Sequence, residues 1–482
     1  MNMRSKIFGK IVKVTGVKVT IAVLIKSVIN KVSVDNFELS YVSIGSLVGT
    51  KLVDGRTLVL TVEEVYDNKG DILITSFING IYDNVLCEFT FGINAYPLIG
   101  EHVYTLDNDI LSKIFAPKKS ACSATIGTYI YDSNVLVGYN PNVLFGKHLG
   151  VFGNTGSGKT CTVVSIIQNY IRNNQDKNIK FIILDVNGEY ETAFNDEEAD
   201  YYTFDSLRFH HTILNNAEYG RLFRASEGIQ YPALKDSIND LSNKNKHWDL
   251  IKLTDSLQYW IDNIAKNDNS RNQLNGYLRT MVLRIESIIN DDALMTVINS
   301  SDDGSTLNNI ITSNKKIHIL DLQVSSDSLD IVLYLLFKTI YLYKTRNRNT
   351  HLNLVLEEAH RYINFNVEET KLGNYYIDKL SREGRKFGIG LIISSQVPSM
   401  LSYEIVSQCN SVIMHKITNK RDLEFLRGVL RISNDAFYFQ MSALEKQYAI
   451  VCGEAFQNDS IVRIHDACPL PDSTDPVIRD SH

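Results

Sequence analysis

The chain has 482 residues, of which 44% are hydrophobic and 22% are charged, and this length allows about two to four domains with hydrophobic cores. Its formal net charge of −6 argues against a surface coated with nucleic acid, although a narrow basic channel inside an assembly stays compatible with it. The six cysteines contain no C-x-x-C pair, so neither a zinc knuckle nor a disulfide framework is indicated. The sequence contains no run of about 18 apolar residues, so a membrane-spanning helix is not predicted. A cytoplasmic protein that does not cross a membrane is therefore expected.

The first part of the chain is predicted to be a small β-barrel. Residues 5 to about 135 contain short runs of alternating polar and apolar residues, such as "RTLVLTVEEVY" and "GDILITSFI". Gly, Asp and Asn residues, which favour turns, separate these runs. We assign residues 1–136 to this N-terminal domain.

From about residue 148 the pattern changes to apolar strands that alternate with helices. Runs such as "LGVFG", "IKFIILDV" and "GIGLIISSQ" predict an α/β domain with a mainly parallel sheet that is covered on both faces. Amphipathic helical patterns replace the strands between about 205 and 312, which indicates a helical insertion. We assign residues 137–454 to this domain and residues 455–482 to a C-terminal strand and tail, which is expected to contact a neighbouring subunit.

The stretch "VFGNTGSGKT", residues 151–160, matches the phosphate-binding motif G-x-x-x-x-G-K-[ST] and lies between a predicted strand and a predicted helix. Backbone N–H groups of such a loop, with the N-terminus of the following helix, bind the phosphates of ATP. Lys159 is expected to reach the β- and γ-phosphates, and Thr160 to be a Mg²⁺ ligand. A glycine turn of purely structural use is the less favoured alternative, because the motif is complete. The predicted nucleotide-binding residues are Gly153, Asn154, Thr155, Gly156, Ser157, Gly158, Lys159 and Thr160 of this loop, together with Asp185 after a later strand.

A second acidic motif follows another predicted strand in "LNLVLEEAH". Glu357 stands where the acid on the Mg²⁺ side of a Walker B motif belongs, and Glu358 is then able to polarise the attacking water. Two solvated carboxylates at a strand end are the alternative. His360 has no companion ligand at helical spacing, so a packing or hydrogen-bonding role is predicted for it.

Polar residues also follow the strands in "FIILDVNGEY" and "LIISSQ". Because the carboxyl ends of parallel strands line the ligand crevice, Gln396 could sense the γ-phosphate, and Asp185 could hold a water or the Mg²⁺ shell. Ordinary capping and turn roles are equally open for both. In "SREGRKFG", Arg382 and Arg385 are three residues apart at a helix end and are predicted to point to one side, where either could contact a phosphate in a neighbouring subunit. Surface charge without a further role is the alternative.

The motifs "GNTGSGKT", "LDVNGEY", "VLEEAHRY", "SREGRKFG" and "ISSQVPSML", in this order, resemble the HerA family of the HerA–FtsK ATPases. The resemblance covers about residues 150–465, and the N-terminal segment is similar to that family's barrel. It implies a RecA-like hexameric ring that passes DNA through its centre, uses ATP and Mg²⁺, and works with a nuclease or an NADase-type effector. The resemblance implies these roles: nucleotide binding by Lys159 and Thr160, Walker B acids at Glu357 and Glu358, a sensor at Gln396, and an arginine finger at Arg382 or Arg385.

The chain departs from the family pattern in three places. Val186 and Asn187 stand where Pro-His is frequent, and Lys416 stands where an arginine is frequent, which removes bidentate geometry from that position. Gln447 stands where a turn glycine is usual, which suggests only a different turn. We predict an ATPase whose hydrolysis is coupled to DNA translocation or unwinding, in DNA end processing or in anti-phage defence. The alternative is an ATP-gated oligomeric scaffold that regulates an effector enzyme without processive movement on DNA.

Overall fold

The computed structural model of the protein describes residues 6–25, 42–92, 94–116, 124–174, 178–299, 305–363, 373–430 and 436–472. The chain divides into two compact units. The first unit contains Met1–Gln175, Ser394–Ser399 and Cys409–His482, and the second contains Asp176–Ile393 and Met400–Gln408. The last ten residues of the predicted tail, 473–482, lie outside the described residues.

Strands and helices are numbered in chain order. The strands are β1 (Ile7–Thr15), β2 (Lys18–Val23), β3 (Leu47–Lys51), β4 (Thr57–Asn68), β5 (Asp71–Asp83), β6 (Glu88–Phe91), β7 (His102–Thr105), β8 (Ala124–Tyr129), β9 (Asp132–Tyr139), β10 (His148–Phe152), β11 (Ile179–Asp185), β12 (Ala199–Tyr202), β13 (Ile317–Asp321), β14 (His351–Leu356), β15 (Ile389–Ser395), β16 (Cys409–Met414), β17 (Tyr448–Gly453) and β18 (Ser460–Ile464). The helices are α1 (Asn108–Phe115), α2 (Pro141–Leu144), α3 (Lys159–Asn173), α4 (Asn216–Leu222), α5 (Gln230–Lys244), α6 (Lys252–Ile264), α7 (Asp268–Ile289), α8 (Asp292–Ile298), α9 (Ser305–Thr312), α10 (Ser326–Arg346), α11 (Gly373–Glu383), α12 (Tyr403–Ser407), α13 (Lys420–Val429) and α14 (Ala436–Met441).

The first unit contains an N-terminal barrel, as the sequence predicts. Six strands pair antiparallel in the order β2-β1-β7-β3-β4-β5, and pairing of β2 with β5 closes the barrel. Strand β6 pairs with the final residues of β5, Gly80 to Asp83, on the edge of β5 that β2 covers only in part. Two register shifts in the β4–β5 pairing, at Val59/Leu60 and at Val62/Glu64, mark bulges, which bend long strands and help a sheet to curl.

The barrel also has a buried outer face. Leu58, Leu60 and Val62 of β4 belong to the barrel core, so the residues between them on this strand face the outside of the barrel. On β5, the buried side chain of Asn79 donates through Nδ2 to Oγ1 of Thr61 at 3.0 Å and to Oδ1 of Asn458 at 2.6 Å. These bonds satisfy an amide that would be costly to bury alone, and they link the barrel to the C-terminal part of the same unit.

A second set of strands in the first unit runs in the order β10-β16-β17-β18-β8-β9, with β10 and β16 parallel and the remaining pairs antiparallel. The predicted domain boundary at residue 136 therefore falls inside β9. The segment 124–139 alternates as barrel strands do, but its hydrogen-bonding partner is β18. Strand β18 lies in a sheet of its own chain, and contact of the tail with a neighbouring subunit stays a prediction.

In the second unit, the strands β12-β13-β11-β14-β15 are all parallel. Every residue of β11 is buried, as expected for a central strand with both faces covered. Between β12 and β13 the described residues form the helices α4 to α9, in the stretch where the sequence predicts a helical insertion. None of the described helices combines the length and apolar character needed to cross a bilayer.

Candidate nucleotide site

The phosphate-binding motif forms a tight loop between β10 and α3 in the first unit. Gly158 is the N-cap residue of α3 and has a φ of +107°, a conformation that suits glycine. Gly153 is packed closely: a Cβ added there would lie 2.6 Å from Cβ of His415 and 2.7 Å from Oγ of Ser157. Gly158 is thus required by the backbone conformation, and Gly153 by the lack of space for a side chain. The loop delivers Lys159 and Thr160 to the first turn of a 15-residue helix.

Neighbouring segments of the same unit hold the loop. The N–H of Asn154 donates to the carbonyl of Lys416 at 2.8 Å, and its Nδ2 donates to Oγ1 of Thr418 at 2.8 Å. The Thr155 hydroxyl donates to Oε1 of Gln396, the residue predicted to sense the γ-phosphate. Gln396 therefore contacts the phosphate-binding loop directly. This contact is compatible with a sensor, although the role itself stays a prediction.

Lys159 and Thr160 are both buried. Nζ of Lys159 donates to the carbonyl of Asn154 at 3.2 Å, so the lysine side chain folds back over its own loop. Such a position suits a cation that binds a phosphate enclosed by the loop.

A buried histidine packs against the loop and was not singled out from the sequence. Nε2 of His415 lies 2.9 Å from Oγ1 of Thr162, which is on the first turns of α3. Burial, aided by the positive charge of Lys159, lowers the pKa of His415 to about 3. The imidazole is therefore neutral at physiological pH and supports the loop without adding charge beside the lysine.

The acidic motif lies in the second unit, directly after β14. Glu357 is buried, and its Oε2 accepts a hydrogen bond of 2.6 Å from the hydroxyl of Tyr190. Its main-chain carbonyl accepts a hydrogen bond of 2.9 Å from the hydroxyl of Tyr362. Burial, together with the carboxylate of Glu357, raises the pKa of both tyrosines well above the usual range. The alternative of two solvated carboxylates is thus wrong for these residues in this structure.

The next residue, Glu358, has an unusual backbone conformation. Its φ is +45° and its ψ is +48°, in the left-handed region that non-glycine residues rarely adopt. Strain of this kind costs about 1–3 kcal/mol and is concentrated at functional sites. Oε2 of Glu358 lies 3.2 Å from Nδ1 of His360, which is compatible with the packing or hydrogen-bonding role predicted for this histidine.

Asp185, at the end of β11, caps a turn of the backbone. Its Oδ1 accepts hydrogen bonds from the N–H groups of Asn187, Gly188 and Glu189, and its Oδ2 accepts from the N–H of Tyr190. These four contacts agree with the capping role that the sequence left open. A further role for Asp185 in holding a water or the Mg²⁺ shell stays a prediction.

The two arginines have different hydrogen-bonding partners, and a common side for their side chains stays a prediction. Helix α11 ends at Glu383, and Arg385 lies in the 3₁₀ helix Gly384–Phe387 that follows it. Arg382 is exposed and its Nε donates to Oδ1 of Asp378, one turn earlier, at 3.0 Å. By contrast, Nη2 of Arg385 donates to the carbonyl and to Oε1 of Gln408 at 2.9 and 2.8 Å.

The predicted metal ligands are compatible with Mg²⁺ in their chemistry. Thr160 and Glu357 offer a hydroxyl and a carboxylate, and oxygen atoms are the ligands that Mg²⁺ prefers. Across the described residues, no group of three or more His, Cys, Asp or Glu side chains is arranged to hold a metal ion. Mg²⁺ sites in nucleotide enzymes need no such group, because phosphates and waters supply most of the ligands.

Comparison with known proteins gives a family match and a set of relatives. The family model described as "Helicase HerA, central domain" matches residues 124–340. A "Probable helicase MJECL08" from Methanocaldococcus jannaschii is 24% identical over 88% of this chain and 86% of its own length. Two proteins named "DNA double-strand break repair helicase HerA" are also similar. The one from Saccharolobus solfataricus is 27% identical over 70% of this chain and 68% of its own length, and the one from Pyrococcus furiosus is 22% identical over 85% and 81%.

Solved structures share the fold at lower sequence identity. VirB4 of Thermoanaerobacter pseudethanolicus superposes with a TM-score of 0.54 at 13% identity, over 72% of this chain and 98% of that one. The plasmid coupling protein TrwB, in complex with the non-hydrolysable GTP analogue GDPNP, gives a TM-score of 0.50 at 12% identity, over 75% and 94%. At such identity these structures inform on the fold and not on the activity.

Proposed function

We propose, from the premise that the chain belongs to the HerA family of the HerA–FtsK ATPases, that it is an ATP-driven DNA translocase. ATP hydrolysis itself is the activity of the family. DNA as the substrate that is moved is supported by the names of the relatives, several of which are DNA repair helicases. The observation that carries the proposal is the complete phosphate-binding loop, with its buried lysine at the start of α3.

Each side chain of the candidate site has a role in this proposal. Lys159 binds the β- and γ-phosphates, and the amides of the loop bind the β-phosphate. Thr160 and Glu357 hold Mg²⁺, which when bound neutralises charge on the transferring phosphate. Gln396, in contact with Thr155, senses the γ-phosphate.

Glu358 is proposed to act as the general base that accepts a proton from the attacking water. Two observations support this role. Its backbone is held in a strained left-handed conformation, and its carboxylate is almost entirely buried, so the side chain has a defined position. The contact with Nδ1 of His360 restricts the carboxylate further.

Glu358→Gln is expected to bind ATP normally and to hydrolyse it about 10²–10⁴-fold more slowly, because the amide keeps the shape but cannot accept a proton. Single-turnover hydrolysis and equilibrium binding of ATP, measured on the same preparation, test this. The same substitution at the exposed Glu404, also in the second unit, is the matched control and should leave both quantities unchanged. Loss of ATP binding in Glu358→Gln would mean that the roles of Glu357 and Glu358 are exchanged.

The proposed assembly is a homo-hexameric ring of RecA-like domains with DNA in its central pore. Arg382 is the better candidate for a finger that reaches the nucleotide of a neighbouring subunit, because its side chain is 58% exposed and contacts Asp378 on its own helix. Arg385 is held by two hydrogen bonds to Gln408 and is proposed to be structural. An arginine in trans would supply charge to the transition state.

An ATP-gated scaffold for a nuclease or NADase-type effector is the second candidate, in DNA end processing or in anti-phage defence. Exposed apolar side chains on the β3–β4 and β5–β6 turns of the barrel offer a surface for such a partner. Val53, Val85 and Leu86 are 84%, 89% and 67% exposed there, and Nδ2 of Asn84 joins the two turns by donating to the carbonyl of Gly55. Exposed apolar clusters of this kind are typical of protein-binding surfaces. A translocase with an effector partner would use the same surface, so movement on DNA is the property that separates the two candidates.

A further inference from the structure

We infer that Tyr190 is a positioning residue for the carboxylate of Glu357, and that Asp185 holds the turn that presents it. The inference rests on the proposed function, because it takes Glu357 as the acid on the Mg²⁺ side. All of the residues involved lie in the second unit.

The hydrogen bond between Tyr190 and Glu357 has the features of a strong, fixed contact. The tyrosine hydroxyl donates to Oε2 at 2.6 Å, within the range of charge-assisted O–H···O⁻ bonds. Both side chains are buried, so water does not compete for the bond and the Tyr190 ring cannot change its rotamer freely. A hydrogen bond to one carboxylate oxygen restricts the orientation of the carboxylate, and metal ligands are oriented by such partners.

Asp185 determines where Tyr190 stands. Its carboxylate accepts from the N–H of Tyr190 at 2.9 Å and also from the N–H groups of the three residues before it. Gly188 has a φ of +75°, which allows the backbone to turn around the carboxylate. The turn therefore fixes the position of the Tyr190 hydroxyl relative to the end of β11.

The acidic segment contacts the same turn from the other side. Nη1 of Arg361, three residues after Glu358, donates to the carbonyl of Val186 at 3.2 Å and to Oδ1 of Asn187 at 3.1 Å. The turn after β11 and the segment after β14 thus share two independent connections, one through Tyr190 and one through Arg361. Hydrogen-bond partners of metal ligands typically contribute 10–100-fold to metal affinity or activity.

A matched pair of tyrosines allows a direct test. Tyr190 and Tyr362 are both buried against Glu357, but Tyr190 donates to the carboxylate whereas Tyr362 donates to the main-chain carbonyl. Tyr190→Phe and Tyr362→Phe each remove one hydroxyl and keep the ring. The measurement is equilibrium binding of fluorescent ATP to the full chain, with Mg²⁺ and with EDTA, which reports on Mg²⁺-dependent affinity without turnover.

Tyr190→Phe is expected to reduce the gain in nucleotide affinity that Mg²⁺ provides by about 10–100-fold, with binding in EDTA unchanged. Tyr362→Phe should retain the gain. In the double variant with Glu357→Gln, Tyr190→Phe should have no additional effect, because both substitutions act on one interaction. Equal behaviour of the two Tyr→Phe variants, or full additivity in the double variant, would overturn the inference.

A wild-type chain whose nucleotide binding does not depend on Mg²⁺ would instead overturn the proposed function of Glu357. Thermal unfolding of each variant checks that the fold is retained. Should Tyr190→Phe fail to fold, Gly188→Ala gives a second test, because a side chain at a φ of +75° strains the turn while the variant keeps both the Asp185 carboxylate and the tyrosine hydroxyl. That variant should lose part of the Mg²⁺-dependent gain, and an unchanged gain would contradict the inference.

Discussion

Replacing Lys159 with alanine is expected to abolish ATP hydrolysis and to leave the fold intact. The lysine lies at the start of α3, and its Nζ folds over the phosphate-binding loop toward the carbonyl of Asn154. Its removal takes a positive charge from the place where the β- and γ-phosphates are expected and takes little apolar contact from the core. Steady-state ATP hydrolysis and thermal unfolding, measured together, test both parts of the expectation.

Lys113 of α1 provides a matched control, since it belongs to the same unit and is exposed. Lys113→Ala should hydrolyse ATP at the wild-type rate. Near-normal turnover in a well-folded Lys159→Ala protein would contradict nucleotide binding by the loop at residues 151–160.

Arg382→Ala is expected to lower the rate of hydrolysis by about 10³-fold or more, on the scale of arginine fingers, with ATP binding little changed. This corresponds to roughly 4 kcal/mol of lost transition-state stabilisation. The expectation rests on the proposed ring: the side chain lies in the last turn of α11 and is 58% exposed, as an arginine that contacts a neighbouring subunit must be. Arg385→Ala removes a second arginine from the same stretch, but one that is hydrogen-bonded to Gln408, and is expected to affect stability more than the rate.

Mixed assemblies distinguish action in trans from action within one subunit. Subunits with Arg382→Ala are combined with subunits with Glu358→Gln, each of which is inactive alone. A finger that acts in trans restores activity at interfaces where an intact arginine meets an intact glutamate. Light scattering on the same samples reports whether a ring forms. Rings that are verified as mixed and show no recovery would contradict the trans assignment of Arg382.

Features that depend on residues close together in the chain could be predicted from the sequence. The loop at residues 151–160 carries its own conformational requirements, since Gly153 lacks space for a side chain and Gly158 needs a positive φ. The alternating strands of the barrel and the buried parallel strands such as β11 likewise follow from short-range patterns.

The errors and omissions arise where partners are distant along the chain. Tyr190 and Glu357 are 167 positions apart, so nothing near either residue indicates their hydrogen bond. Strand β8 pairs with β18, with Tyr129 opposite Val462, which is why alternation alone put the domain boundary inside β9. Gln408 is 23 positions from Arg385, so the spacing of Arg382 and Arg385 gives no indication that the second arginine is hydrogen-bonded there.

Displacement of a third DNA strand from a triplex reports directly on movement along DNA, because a protein that moves along the duplex removes the third strand without needing to unwind the duplex. With ATP, the wild-type chain should displace the third strand, while Lys159→Ala and Glu358→Gln should not. ATP hydrolysis by the wild-type chain without displacement, on triplexes with both blunt and single-stranded ends, would contradict translocation and favour the ATP-gated scaffold.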